Sequence, residues 1–228
     1  MRLSIVIPVL NEGMRVRACL EPLQQLRTQG HELIVVDGGS GDGTPDLARG
    51  LADRVLQAPR GRALQMNAGA AQASGDVLLF LHADTLLPDD AVRQLDAVRA
   101  AGADLWGRFD VHIEGNHAML AVVARMMNLR SRLTRVCTGD QCIFAATALF
   151  ARAGGYPAIA LMEDVALSKR LRRLAPMTAL PGPVVTSGRR WEKHGVWRTI
   201  MLMWWLRLRY VLGDSPQRLS RAYDAGSR

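Results

Sequence analysis

The residues best placed to do chemistry in this sequence are carboxylates at the ends of apolar runs. Asp84 follows Val77-Leu78-Leu79-Phe80-Leu81, with His82 and Ala83 between. Asp37 closes Leu33-Ile34-Val35-Val36, and Glu12 stands just past the apolar segment 3–10. An ionised carboxylate only accepts hydrogen bonds, and its hard oxygens suit Mg2+ or Mn2+. The same acids also serve turns and helix starts. Glu163 and Asp164 are adjacent at an expected helix start, where acids commonly cap. Arg60 and Arg62 sit at the beginning of another expected helix. The helix dipole disfavours a cation there, yet a guanidinium and a helix N-terminus can grip one phosphate together.

Positioning these groups falls to an alternation of strands and helices. The unbroken apolar run at 77–81 predicts a strand buried on both faces, as in a parallel sheet. Residues 3–10 and 31–37 predict two earlier strands, with a helix over 12–29 between them. Thr44-Pro45-Asp46 opens a helix expected over 45–54, and a short strand follows at 54–57. This order marks an α/β domain with a largely parallel sheet. Ligands of such sheets bind at the carboxyl ends of the strands, where Glu12, Asp37 and Asp84 fall. The glycine-rich turn 38–43 lacks G-x-G-x-x-G and follows the second strand, which excludes a dinucleotide fold, and no Walker A lysine is present. A helix past Pro88 to about 100, a half-exposed strand over 109–113 and a Met-rich helix over 117–133 complete the reading.

Ile7-Pro8-Val9-Leu10-Asn11-Glu12, Val35-Val36-Asp37-Gly38-Gly39-Ser40, Asn67-Ala68-Gly69 and His82-Ala83-Asp84, in that order, resemble the family 2 glycosyltransferases of the GT-A fold. The resemblance extends to about residue 213, and the chain also looks like the short bacterial subgroup of selenodomain- and arsenosugar-cluster-associated transferases. It implies a Rossmann-like, mostly parallel sheet flanked by helices, with a C-terminal helical segment. Residues 1–195 would form the catalytic domain and 196–228 a helical appendage. Pro8, Glu12, Asp37, Arg62, His82, Ala83 and Asp84 would hold a UDP- or GDP-type sugar donor. His82-Ala83-Asp84 stands where the family has Asp-x-Asp, so Asp84 would meet a divalent cation, and the imidazole favours Mn2+ over Mg2+. The Glu163-Asp164 pair carries the family's base, with Asp164 taking the acceptor proton and Glu163 supporting it. Asp140 and Gln141 resemble the acceptor-side segment. Arg190 and Trp191 match the Arg-Trp pair that grips acceptor and diphosphate, and His194 could reach the metal. The reaction implied is single displacement, with Arg62 and the late arginines helping the ion to stabilise the departing diphosphate.

Composition agrees with an enzyme core. The chain has 228 residues, 49% of them hydrophobic, and a net charge of +8 that implies an anionic partner. Its odd set of cysteines, Cys19, Cys137 and Cys142, with no C-x-x-C, argues against disulfides and structural zinc and for a reducing cytoplasm. The first apolar run is too short for a signal peptide. Aromatics are only 5%, and no recognition motif for nucleic acid appears. The tail 196–212 mixes Trp, Met and Leu with Arg and is too short to span a bilayer. It suits an interfacial helix on the inner face of the cell membrane, a cover for a lipid acceptor, a core helix or a homodimer contact. Lipid and small soluble acceptors both fit. Two other readings stay open: a sugar nucleotidyltransferase, which would want a basic glycine-rich loop where Asn11-Glu12-Gly13 stands, and a non-catalytic nucleotide-binding relative.

Overall fold

In the computed structural model, which describes residues 1–100 and 104–226, the chain opens with β1 (Leu3–Val9), α1 (Gly13–Leu20), α2 (Gln24–Thr28) and β2 (Glu32–Asp37). α3 (Thr44–Ala48), β3 (Arg54–Gln57), α4 (Arg62–Gln72) and β4 (Val77–Phe80) follow. These strands pair in parallel in the order β3-β2-β1-β4. Every residue of β2 and β4 is buried, which is why both read as nearly unbroken apolar runs. The single helix expected over 12–29 is instead two. Pro22 has no N–H to continue the ladder, and the chain breaks between Leu20 and Gln24. The helix expected over 45–54 stops at Ala48, where Arg49 turns extended and Gly50 adopts a φ of 88°.

Beyond β4 come β5 (Thr85–Leu86), α5 (Ala91–Arg99), β6 (Trp106–Glu114), α6 (Met119–Thr134), β7 (Ile143–Ala146) and α7 (Thr147–Arg152). The chain then forms α8 (Glu163–Leu171), β8 (Thr178–Ser187), α9 (Arg189–His194), α10 (Val196–Val211) and α11 (Pro216–Gly226). The sheet continues from β4 as β7-β6-β8-β5, with β7 antiparallel to both its neighbours. This half is mixed, whereas the first half is wholly parallel. The alternation read at 109–113 is present, with Phe109, Val111 and Ile113 buried and His112 exposed. β8 was not anticipated, because Pro181-Gly182-Pro183 resembles a loop. A bulge accommodates it: Phe109 faces Leu180 while Val111 already faces Val184.

A buried charge network ties α6 to β6. Arg108 has no exposed surface, pairs with Asp110 and donates through Nη2 to the Asn128 carbonyl at 3.1 Å. Arg132 reaches the same carboxylate at 2.6 Å, and Asn128 clasps the backbone of Val111 through both halves of its amide. Removing one partner of a buried pair leaves the other charge stranded. Asp110→Ala is therefore expected to cost about 3 kcal/mol, a fall in Tm of roughly 10 °C. Arg132→Ala, at the wet end of the network, should cost less than about 1 kcal/mol. Denaturant unfolding of the two variants checks the contrast.

The C-terminal helices are packed on the rest of the chain. Leu206 of α10 and Leu219 of α11 share a core with Met162 and Val165. The outer faces are another matter. Trp197, Met201, Trp204, Leu208 and Val211 form one exposed stripe on α10 at helical spacing, and Val122, Met126, Leu129 and Leu133 form another on α6. Among the described residues no helix is long and apolar enough to cross a membrane.

Candidate active site

β2, β1 and β4 are neighbours and run the same way, so their carboxyl ends share one edge of the sheet. That alone puts Asp37, Glu12 and Asp84 in a row. The loops above the edge are laced together. The Asn11 and Glu12 N–H groups donate to Ser40 Oγ at 2.8 Å and Thr44 Oγ1 at 2.9 Å, and the Gly13 N–H donates to Asp42 at 2.9 Å. Asn11 takes a φ of 53°, a conformation asparagine tolerates better than most residues, and its Oδ1 accepts from the Gly41 N–H at 3.0 Å. From below, Gln65 of α4 donates to the carbonyls of Val9 and Val36, both at 2.8 Å, bridging the ends of β1 and β2. Nothing in the sequence marked Gln65 for that task. Pro8 lies half-buried in β1, and Glu12 pairs with Arg15 at 3.0 Å. Asp37 is buried and accepts from the Gly39 and Ser40 N–H groups at 2.9 Å and the Ser40 hydroxyl at 2.5 Å. A carboxylate offers about four acceptor positions, and these contacts fill three of them.

The second half of the site depends on β7. Because β7 is antiparallel to β4, its beginning lies at the edge where β4 ends. The 3-10 turn Gly139–Gln141 ahead of β7 thus meets His82, whose Nδ1 lies 3.5 Å from the Asp140 carboxylate. A Cβ on Gly139 would come within 2.5 Å of the His82 ring, so the close approach requires glycine. The Gly139 N–H donates to Asp164 at 3.0 Å. Met162, at a φ of 69°, turns the chain into α8, and the other Asp164 oxygen accepts from the Val165 N–H at 2.7 Å. On the far flank, β8 pairs with β5 and the Ser187 N–H donates to the Asp84 carbonyl at 3.2 Å, which brings the start of α9 to this edge.

Electrostatics link these groups. Burial, then the adjacent Asp164 charge, pushes the Glu163 carboxyl up to about 7, with Arg62 and His82 opposing. Asp140 is half open to water on a crowded floor. Desolvation there raises it, but the hydrogen bond and charge of His82, with Arg62 and Arg207, outweigh this and hold it at about 2. Arg130 of α6 is brought down to about 10 by burial and by Arg207, against the pull of Asp164. Arg207 of α10 is lowered by burial, against Asp164 and Asp140. The Glu163 shift has a signed consequence. The folded chain keeps a proton that the unfolded chain releases above its ordinary value of 4.5, so this contribution is full below pH 4.5 and lost as pH rises towards 7. The loss should be on the order of 3 kcal/mol. Urea unfolding at pH 5 and pH 8 is expected to show that slope in the wild type and not in Glu163→Gln, which should be the more stable protein at pH 8.

Asp84 is exposed and its Oδ1 accepts from the Thr85 hydroxyl at 3.3 Å. Burial, then the charges of Asp84 and Glu12, push the Cys19 thiol up to about 12. Among the described residues no group of three His, Cys, Asp or Glu side chains could hold a metal ion. One exposed carboxylate suits an Mg2+ or Mn2+ ion whose remaining ligands are phosphate oxygens and water, and does not suit an all-protein cage.

Several expected contacts lie elsewhere. Gln141 is fully buried. Its NH2 group donates to Asn128 Oδ1 at 3.2 Å and Ser131 Oγ at 3.1 Å, and its Oε1 accepts from Thr138. It frames the site from within and has no group free for a sugar, contrary to expectation. Trp191 packs half-buried against the main core, and the Arg190 guanidinium lies 3.8 Å from the centre of the Tyr223 ring. Burial and the cations Lys193, Arg190 and Arg198 lower His194, poor company for a metal ligand. Ala83 is buried. The charges of Arg130 and Arg207, neither singled out in the sequence, also bear on this region through the field of Asp164, without an ion pair to it among the described residues.

Comparison with known proteins gives this edge a context. Residues 4–147 match glycosyl transferase family 2. The undecaprenyl-phosphate 4-deoxy-4-formamido-L-arabinose transferase of Yersinia enterocolitica is 30% identical over 61% of this chain and 46% of its own. Glycosyltransferase AglE of Haloferax volcanii is 32% identical over 46% of this chain and 38% of its own. The chain thus spans less than half the length of the curated relatives it matches. Among solved structures, the Pyrobaculum calidifontis mannosyltransferase PcManGT, in complex with GDP-Man and Mn2+, aligns with a TM-score of 0.67 at 20% identity, over 97% of this chain and 68% of that one. S. aureus TarS 1-349 aligns at 0.66 and 18% identity, over 88% and 64%. The fold is the GT-A glycosyltransferase fold. With its match covering more than half of its length, the chain belongs to glycosyl transferase family 2.

Proposed function

We propose that this chain moves a sugar from a nucleoside-diphosphate donor to an acceptor hydroxyl by single displacement. The observation that carries the reading is the linkage of Asp164 through the Gly139 N–H to the His82–Asp140 pair, beside Asp84 on the sheet edge. Asp164 takes the acceptor proton. It is held by two backbone N–H groups, which fix its orientation as a positioned base requires. Glu163, whose carboxyl burial raises to about 7, titrates around neutrality and shapes the charge around it. Pro8, Glu12 and Asp37 line the nucleoside end, and Arg62, close enough to act on Asp140 and Glu163, faces the diphosphate. A divalent ion at Asp84, when bound, supplies Lewis-acid stabilisation of the departing diphosphate. Solved neighbours in complex with GDP-Man and Mn2+, or with UDP and Mn2+, support a donor of this class.

Residues 196–228 act as an appendage on the acceptor side. Its exposed Trp, Met and Leu stripe, together with that of α6, would rest on the inner face of the cell membrane. Neither α6 nor α10 contains an acidic residue, and both carry arginines, which complements anionic lipid. A relative named for undecaprenyl-phosphate makes a lipid acceptor the leading choice, and the proton that Asp164 takes is then that of the attacking hydroxyl, an alcohol O–H or the P–OH of a phosphate monoester. Calorimetry of the chain with UDP, GDP and dTDP and their sugars, with and without Mn2+, tests the donor half. A metal-dependent winner supports the reading; no binding by any of them sinks it.

A further inference from the structure

The segment that leads to Asp164 has no regular structure of its own: α7 ends at Arg152 and α8 starts at Glu163. Gly154 and Gly155 turn the chain at φ values of 74° and 64°. The segment is then held from two sides. Arg170 of α8 reaches back to the Gly155 carbonyl at 3.2 Å, which joins it to the helix that carries Asp164. Opposite, Asn67 of α4 clasps the backbone of Tyr156. Its Nδ2 donates to the Tyr156 carbonyl at 2.8 Å, and its Oδ1 accepts from the Tyr156 N–H at 2.9 Å. A side-chain amide matches both polar groups of one residue, as a neighbouring strand would. A Cβ on Gly155 would come within 2.8 Å of Asn67 Oδ1, so the two approach as closely as glycine allows. The Tyr156 ring is buried, 5.0 Å from Phe80 at the end of β4 and 5.7 Å from Phe150.

What the clasp connects gives it a function. Gln65, two residues earlier on α4, fastens the ends of β1 and β2, and Arg62 opens the same helix. Residues 153–175 bond otherwise to the later chain, Asp164 with Gly139, Ser168 with Cys137 and Arg172 with Thr134. Among the described residues, the hydrogen bonds that join 153–175 to residues 1–100 are the pair made by Asn67. We infer that Asn67 is a positioning residue: its clasp on Tyr156 fixes the segment before α8 against α4 and so sets where Asp164 stands relative to the donor edge. This rests on the transferase reading above and adds to it a residue that acts through the backbone, not on a substrate atom. Displacing a catalytic group by about 1 Å can cost on the order of 100-fold in rate.

The test compares the full chain with its Asn67→Ala and Asn67→Asp variants, well below the Tm of each. Turnover is read as nucleoside diphosphate released from GDP-mannose or UDP-GlcNAc with Mn2+ and farnesyl phosphate, and donor affinity by calorimetry with GDP and UDP. Asn67→Ala is expected to lower kcat by roughly 100-fold and to leave nucleoside-diphosphate affinity within about twofold. Asn67→Asp, of the same size, sets a carboxylate against the Tyr156 carbonyl and should lose kcat as well. An asparagine that serves stability alone would lower Tm and leave kcat per folded molecule unchanged, which overturns the inference. A loss of nucleotide affinity equal to the loss of kcat also overturns it, by placing Asn67 in the donor site. A second readout needs no activity. The Gly139 and Val165 amides both donate to Asp164, so their hydrogen exchange should quicken in Asn67→Ala while the amides of β1 and β2 keep their rates. Unchanged exchange at both amides overturns the inference. A wild type that neither binds nor releases nucleoside diphosphate would remove the transferase reading, and the two amides would still decide whether Asn67 positions Asp164.

Discussion

Asp164→Asn is expected to lower turnover by about 10²–10⁴-fold while nucleoside-diphosphate affinity stays within a factor of about two. The amide keeps an oxygen that can accept from the Gly139 N–H, so the 3.0 Å tether and the turn packed on His82 survive. What it loses is the ability to take a proton from the acceptor. The loss should therefore fall on kcat, read as nucleoside diphosphate released per second, with calorimetry reporting an intact donor site. Glu163→Gln is the control beside it. With its carboxyl raised to about 7, Glu163 is about half protonated at pH 7, so the amide matches one of its two forms, and activity at pH 7 should fall far less than in Asp164→Asn. If the ranking came out reversed, Glu163 would be the base. Its carboxyl at about 7 would then be the reason, since a base is most effective when its pKa lies near the working pH.

The row of acids at the sheet edge was legible because parallel strands leave a strong local trace. Buried on both faces, β1, β2 and β4 had to be apolar throughout, and an acid at the end of each run stood out. Pro22 was visible too, and its breaking of the first helix is a lesson in weighting a proline above a hydrophobic stripe. The acceptor edge left no such trace. β8 threads Pro181-Gly182-Pro183 through a bulge, which only a partner strand can stabilise. Gln141 was read as a ligand contact because a polar residue beside a glycine-rich turn can be either a contact or a brace. The choice was made by Asn128 and Ser131, more than one helical turn away in sequence. Gly139 is required by a ring from residue 82, a closeness set by tertiary packing alone.

Asp84→Ala should abolish the metal dependence of donor binding. In the wild type, Mn2+ is expected to tighten the preferred nucleoside diphosphate, because the ion neutralises phosphate charge that Arg62 alone leaves uncompensated. With Asp84 as the one exposed carboxylate at the end of β4, its removal deletes the protein's hard oxygen ligand, and the Mn2+-supported affinity should fall by more than about 100-fold. The metal-free affinity should barely move, since Glu12, Asp37 and Arg62 are untouched. His82→Ala separates two accounts of the histidine. Its Nδ1 is committed to Asp140, so as a bracket for the 3-10 turn it should affect turnover through Asp164 and Gly139 and leave the Mn2+ effect on binding intact. As a metal ligand in place of the first aspartate of Asp-x-Asp, it should instead reproduce the Asp84 result. Equal loss in both variants would mean that the imidazole turns from Asp140 to the ion when donor is present. Loss confined to Asp84→Ala would mean that a single carboxylate and the donor's own phosphates suffice.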